Sequence, residues 1–159
     1  MEKKPSSTYP IRFSDCDPFG HLNNARFLDY FLHAREEHLK NYYDLDLTTF
    51  YRKGLSWVVG GHEILYLKPA KYAEKVVIET SLIDYTETSL LVEMRMLNEA
   101  GTETKSIVWT SFIPVSTATG KREKQSASFM EFLGSVYNDG VDVKAGLRSR
   151  LASLVVKPV

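Results

Sequence analysis

At 159 residues, with 25% charged and 43% hydrophobic side chains, the chain has the size and composition of one folded domain and falls outside the disordered classes. Its 20 basic and 20 acidic residues cancel, so no net field favours nucleic acid or an anionic membrane, although a zero sum still allows a local basic patch for an anionic ligand. The single cysteine, Cys16, excludes an intrachain disulfide, and neither a secretory signal nor a stretch of roughly 20 apolar residues is present, so the cytoplasm is the expected location.

Ile11 and Phe13 alternate with polar neighbours and predict a short strand over residues 9–13. Residues 14–24 follow as a loop rich in Asp, Pro, Gly and Asn. From Ala25 to about Tyr43 there is neither Gly nor Pro. Phe27, Leu28, Phe31, Leu32, Arg35, Leu39 and Tyr42 recur at three- and four-residue steps and predict one mostly apolar helix face, with Asn23 or Asn24 as N-cap. Glu36 and Lys40 form an i,i+4 pair in the favourable order.

The period then changes to two. Residues 55–67 read as a strand with a bulge or close backbone approach at Gly60-Gly61, ended by Lys68-Pro69-Ala70. Residues 76–83, 89–97 and 104–115 read as three more strands joined by compact turns. A polar turn over residues 119–125 precedes a short helix over 126–137, which Asn138-Asp139-Gly140 breaks. Residues 141–159 read as a small helix with an edge strand, or as a tail that docks on a partner. One long helix followed by antiparallel strands is an α+β plan in which the helix covers a sheet face.

Asp15, Cys16, Asp17 and His21 lie within seven residues, directly before the helix N-terminus. Unpaired N–H groups and partial positive charge at that end polarise a carbonyl, and a carboxylate beside it acts as nucleophile or activates water. Taken alone, the same residues also suit a plain loop and helix cap.

The run Asp17-Pro18-Phe19-Gly20-His21-Leu22-Asn23-Asn24, followed by Phe27 and Tyr30, resembles the Asp-x-x-Gly-His-x-Asn-Asn signature of the 4-hydroxybenzoyl-CoA thioesterase family. Residues 64–70, Ile-Leu-Tyr-Leu-Lys-Pro-Ala, resemble that family's second strand and its exit, and the similarity spans about residues 9–124. The resemblance implies a hotdog fold: an antiparallel sheet of about five strands wrapped around one long helix, over residues 1–125. A short C-terminal helix and tail, residues 126–159, are expected to pack on the same domain. It also implies a two-fold dimer or tetramer with active sites where subunits meet, and hydrolysis of an acyl-CoA or other acyl thioester. No cofactor is expected, coenzyme A being part of the substrate, and no metal, nucleic acid or membrane.

By this resemblance Asp17 is the catalytic carboxylate and His21 orients or polarises the thioester. The N–H of Asn24 or a neighbour binds the carbonyl oxygen, and Ser89 approaches from the partner subunit. Some members carry basic residues just before that serine; here they are Thr86, Glu87 and Thr88. Lys68, Lys71, Lys121, Arg122 and Lys124 are substitutes by charge, with Lys68, Lys71 and Arg122 taken as the coenzyme A contacts. The alternatives in the same fold are a hydratase or dehydratase on acyl thioesters and a non-catalytic acyl-CoA binding protein.

Other chemistries fit less well. A Cys16–His21 nucleophile is disfavoured by the flanking carboxylates. Asp15, Asp17 and His21 lack a fourth metal ligand at matching spacing. His33 and His38 are five residues apart, about 140° around a helix, and cannot readily share a zinc ion.

Overall fold

A computed structural model describes residues 1–154 of the chain. Five strands, β1 (Ser6–Pro10), β2 (Leu55–Tyr66), β3 (Lys75–Thr86), β4 (Ser89–Asn98) and β5 (Thr104–Ser116), make one antiparallel sheet in the order β1-β3-β4-β5-β2. The long helix α1 (Phe27–Tyr43) lies on one face. Its Phe27, Phe31 and Ala34 pack into a core with Val76, Ile78, Met94 and Met96. This is the expected α+β hotdog arrangement.

The helix is entered through a 3-10 turn, Asn24–Arg26, capped by the Asn23 side chain, which accepts from the Ala25 N–H. Its 17 residues rise about 26 Å. It stops at Asp44, whose left-handed backbone (φ 54°) returns its N–H to Leu39 O. The buried face differs slightly from the expected stripe: Tyr43 is buried and Tyr42 is exposed.

β3, β4 and β5 form a meander. The second of its turns is held by the Asn98 side chain, which accepts from the Thr102 and Glu103 N–H groups at 2.9 and 3.0 Å. The bulge expected in β2 is present, with the register against β5 slipping between Val59 and Gly61. A Cβ at Gly60 would stand 2.8 Å from Ile113 Cδ1 and 2.9 Å from Ser111 Oγ, so glycine lets the two strands close.

Two elements differ from the sequence reading. β1 runs Ser6–Pro10 rather than 9–13; beyond it Ile11 turns into the core, donating its N–H to Glu74 O, and Phe13–Asp15 form a 3-10 turn. A six-residue helix, α2 (Leu47–Arg52), lies between α1 and β2, capped by Asp46. The C-terminal region holds two helices as expected, α3 (Ala127–Val136) within residues 126–137 and α4 (Leu147–Leu154) within 141–159, and residues 155–159 lie outside the described part.

α3 joins the core on the α1 side through Leu133 and Val136. The chain then crosses the sheet edge where β1 has ended, with the Asn138 N–H donating to Leu82 O at 2.8 Å. On the far face Val141 and Leu147 pack with Ile83, Ile107 and Trp109. There Arg150 donates twice to the buried Glu93, at 2.8 and 2.9 Å, and Trp109 Nε1 donates to the same carboxylate at 3.0 Å. Three donors offset the desolvation of that charge, and removing Arg150 would cost about 3 kcal/mol. No described helix is long and apolar enough to cross a membrane.

Candidate active site

Residues 16–22 form a tight loop laced to the segment that leads into β3. The Asp17 N–H donates to His21 O at 2.8 Å, and Gly20, at φ 76°, makes the turn between them. Leu22 N–H donates to Ala70 O at 2.7 Å, and Tyr72 N–H to Gly20 O at 2.8 Å. The receiving segment is itself braced, because Lys105 Nζ donates to Pro69 O at 3.0 Å and pairs with Glu74 at 2.8 Å.

Within the loop, Asp17 Oδ1 accepts from the N–H groups of Phe19 and His21 at 2.9 and 3.1 Å. Oδ2 has no hydrogen-bond partner among the described residues. One oxygen therefore fixes the carboxylate's orientation and leaves the other free for a substrate or water. Of the three N–H groups in the turn Asn24–Arg26, those of Ala25 and Arg26 go to Asn23 Oδ1 and Asn23 O. The Asn24 N–H has no acceptor among the described residues, and its carbonyl accepts from Tyr66 OH at 2.9 Å. One unspent donor thus stands at the entry to α1, where the helix dipole adds partial positive charge. Asn23 N–H donates to Asp15 O at 3.0 Å and holds this turn against the Asp17 loop.

Asp15 is occupied elsewhere: its Oδ2 accepts from Tyr30 OH at 2.7 Å, and Tyr30 OH accepts from the Arg12 N–H at 3.1 Å. The Cys16 thiol donates to Arg12 O, and desolvation with the charges of Asp17 and Asp15 pushes its pKa up, away from the thiolate. His21 is half-buried, and its ring makes no hydrogen bond among the described residues.

The named residues fall into two groups. Asp17, His21 and Asn24 lie together, with Lys71 paired to His21 across the backbone and Lys68 three residues before it. Lys68 is exposed and sits 3.8 Å from Glu103. Ser89 opens β4 at the far end of β3, its hydroxyl 2.8 Å from Thr86 Oγ1. Arg122 is exposed and pairs with Val115 at that same far end, beyond β5. The 12 residues of β3 separate the two groups by roughly 40 Å at about 3.3 Å per residue. A single copy cannot bring them together.

Residues 11–135 match the sequence model of the thioesterase-like superfamily. The chain belongs to the thioesterase-like superfamily. It is 28% identical to the acyl-CoA thioesterase YbgC of Haemophilus influenzae over 92 residues, which cover 57% of this chain and 68% of that protein. Among solved structures, a DHNA-CoA thioesterase from Staphylococcus aureus superposes with a TM-score of 0.75 at 18% identity, covering 95% of this chain and 92% of that one. A Staphylococcus aureus hypothetical protein solved in complex with CoA superposes at 0.77 with 15% identity, covering 86% of each chain. At these identities the structural likeness is one of fold. Membership of the superfamily makes thioester hydrolysis the chain's reaction class.

Proposed function

We propose that the protein hydrolyses an acyl-CoA, or another acyl thioester, to the free acid and the thiol, with Asp17 as general base. The observation that carries this reading is the pairing of a half-fixed carboxylate with an unspent backbone donor in one braced loop. The thioester carbonyl accepts from the Asn24 N–H, which stabilises the negative charge that develops on its oxygen. Asp17 Oδ2 takes a proton from water as the water oxygen bonds to the acyl carbon. The C–S bond then breaks, and the leaving thiolate takes up a proton. His21 orients the thioester.

The separation of the two groups of residues supports a site completed by a second copy, which brings Ser89 and Arg122 to the Asp17 loop. Lys68 and Lys71 of the first chain are the nearer candidates for the coenzyme A phosphates.

A panel of acyl-CoA esters with a free-thiol readout tests the reaction. Asp17→Asn, which keeps size but removes the base, is expected to lower turnover at least about 100-fold with the fold intact. A folded Asp17→Asn protein with near-full turnover would remove Asp17 from the mechanism. Single turnover in ¹⁸O-water separates direct attack by water from attack by Asp17: label found on the aspartate, with an unlabelled acid, would overturn the general-base route.

A further inference from the structure

A cavity of about 480 Å³ runs across the α1 face of the sheet. It begins at the sheet's edge among the described residues, beside Ser56 and Trp57 of β2, and passes Phe112 of β5 and Leu90 of β4 to reach Leu82 of β3. Its size suits a small ligand with an apolar body. Arg35 of α1 also lines it and stands at the inner end, because its Nη1 donates to Thr80 Oγ1, also on β3, at 2.9 Å.

Arg35 is only 8% exposed, and no carboxylate lies within 4.0 Å of it among the described residues. Glu36 also lines the cavity, from an exposed position. A guanidinium has five N–H donors and keeps its charge; Thr80 and the neighbouring Tyr43 phenol leave most of those donors free. Among the described side chains only Arg95 Nε is both fully enclosed and unpartnered. The free N–H groups of Arg35 are therefore not fully enclosed, and because Arg35 lines the cavity we take the cavity as the space they open onto. A buried cation without a counter-charge is costly, and a ligand that brings an anion offsets that cost.

We propose that this cavity takes the acyl group of an ω-carboxyacyl thioester, entering from the β2 edge and placing its terminal carboxylate on Arg35. The direction of entry rests on the thioesterase reading. Antiparallel pairing of two β2 strands in full register sets Tyr66 of one copy beside Leu55 of the other. The Ser56–Trp57 end of the cavity then faces the second copy's Asp17 loop, through the contact of its Tyr66 with Asn24.

Suberoyl-CoA against octanoyl-CoA, and adipoyl-CoA against hexanoyl-CoA, differ only in the terminal group. The ω-carboxy member of each pair is expected to have at least about 10-fold higher kcat/KM, as a charged hydrogen bond in a desolvated site provides. Arg35→Met should bring the members within about twofold of each other, and Arg35→Lys should keep the preference in weakened form. The ratio is taken on one preparation, so a loss of folded protein cancels. Equal rates for the wild type overturn the inference whether or not Arg35→Met folds.

A second arm needs no hydrolysis. Octanoate is titrated against octanol with tryptophan fluorescence as readout, and octanoate is expected to bind more tightly in wild type alone. Thiol release without an ω-carboxy preference overturns this inference and leaves the thioesterase reading standing. Arg35-dependent octanoate binding without thiol release from any ester supports the anion site and overturns that reading. Equal binding of octanoate and octanol by the wild type overturns the site.

Discussion

Asp15 and Asp17 stand two positions apart and do different work, because their surroundings differ. Asp15 is spent on Tyr30, while Asp17 keeps one oxygen free. On the proposed mechanism Tyr30 is thus a positioning residue that ties the loop to α1. Tyr30→Phe takes the donor from Asp15 and the acceptor from the Arg12 N–H, and should cost about 1–2 kcal/mol of stability. Turnover is expected to fall about 10-fold with KM little changed, a smaller loss than for Asp17→Asn. Urea denaturation and thiol release measure both, and a Phe variant at wild-type values would sink the brace. The grouping of Asp17, His21 and Asn24 was legible because one short loop carries all three. Arg35 was visible only as a lone charge in an apolar stripe. Its neighbours Thr80 and Leu82 come from β3, and no local pattern announces them.

β2 is the element with the most left undone. It is a 12-residue edge strand with Val58 and Val59 exposed on it and, among the described residues, no partner on its outer side. An edge that long is a template for another strand. Pairing with a second copy's β2 about a two-fold axis would close it and bring the separated halves of the site together. Sedimentation is expected to give a dimer or a two-fold tetramer; an active monomer at assay concentration would remove the shared site. The strands and α1 were readable because their periods run long. α2 has six residues, too few for a period to emerge, and only the Asp46 cap signals it. β1 was misplaced because Ile11 and Phe13 alternate like a strand, yet pairing stops at Pro10, after which the chain turns inward. The place of α4 was hidden because the anchor of Arg150 is Glu93, in a distant strand.

Across the whole molecule, one chain of hydrogen bonds ties α1 to β1 and β3. Arg35 donates to Thr80 Oγ1, which leaves the Thr80 hydroxyl to donate to His38 Nδ1 at 2.8 Å. His38 Nε2–H then donates to Ser7 Oγ at 2.7 Å, Ser7 to Tyr9 OH at 2.8 Å, and Tyr9 to Glu37 at 3.2 Å. Neutral His38 fits this sequence. A second proton would set two donors on Thr80 Oγ1 and a second cation beside Arg35. Burial, and then the Arg35 charge, hold the His38 pKa down to about 4. Unfolded, His38 titrates near its ordinary value of about 6.5. Between these values the unfolded chain binds the proton and the folded one does not, so stability falls as pH drops through that window and is full above it. The loss is on the order of 3 kcal/mol. Urea denaturation at steps from about pH 7 to about pH 4.5 should show the slope, and His38→Gln should flatten it. Identical slopes in the two proteins would refute the assignment.

The strand order β1-β3-β4-β5-β2 also sets a timetable. β3, β4 and β5 are joined by short turns and need little chain closure to pair, whereas β2 precedes the meander in sequence and lies beside its last strand. Closing that long loop is slow. The meander should therefore gain amide protection first, and β2, the strand proposed to pair with a second copy, should dock late. If two copies pair through β2, their association waits on the last step of folding, and the two processes share a rate-limiting event. Pulse-labelled hydrogen exchange during refolding should find β4 amides protected before those of β2, and the reverse order would overturn this sequence of events.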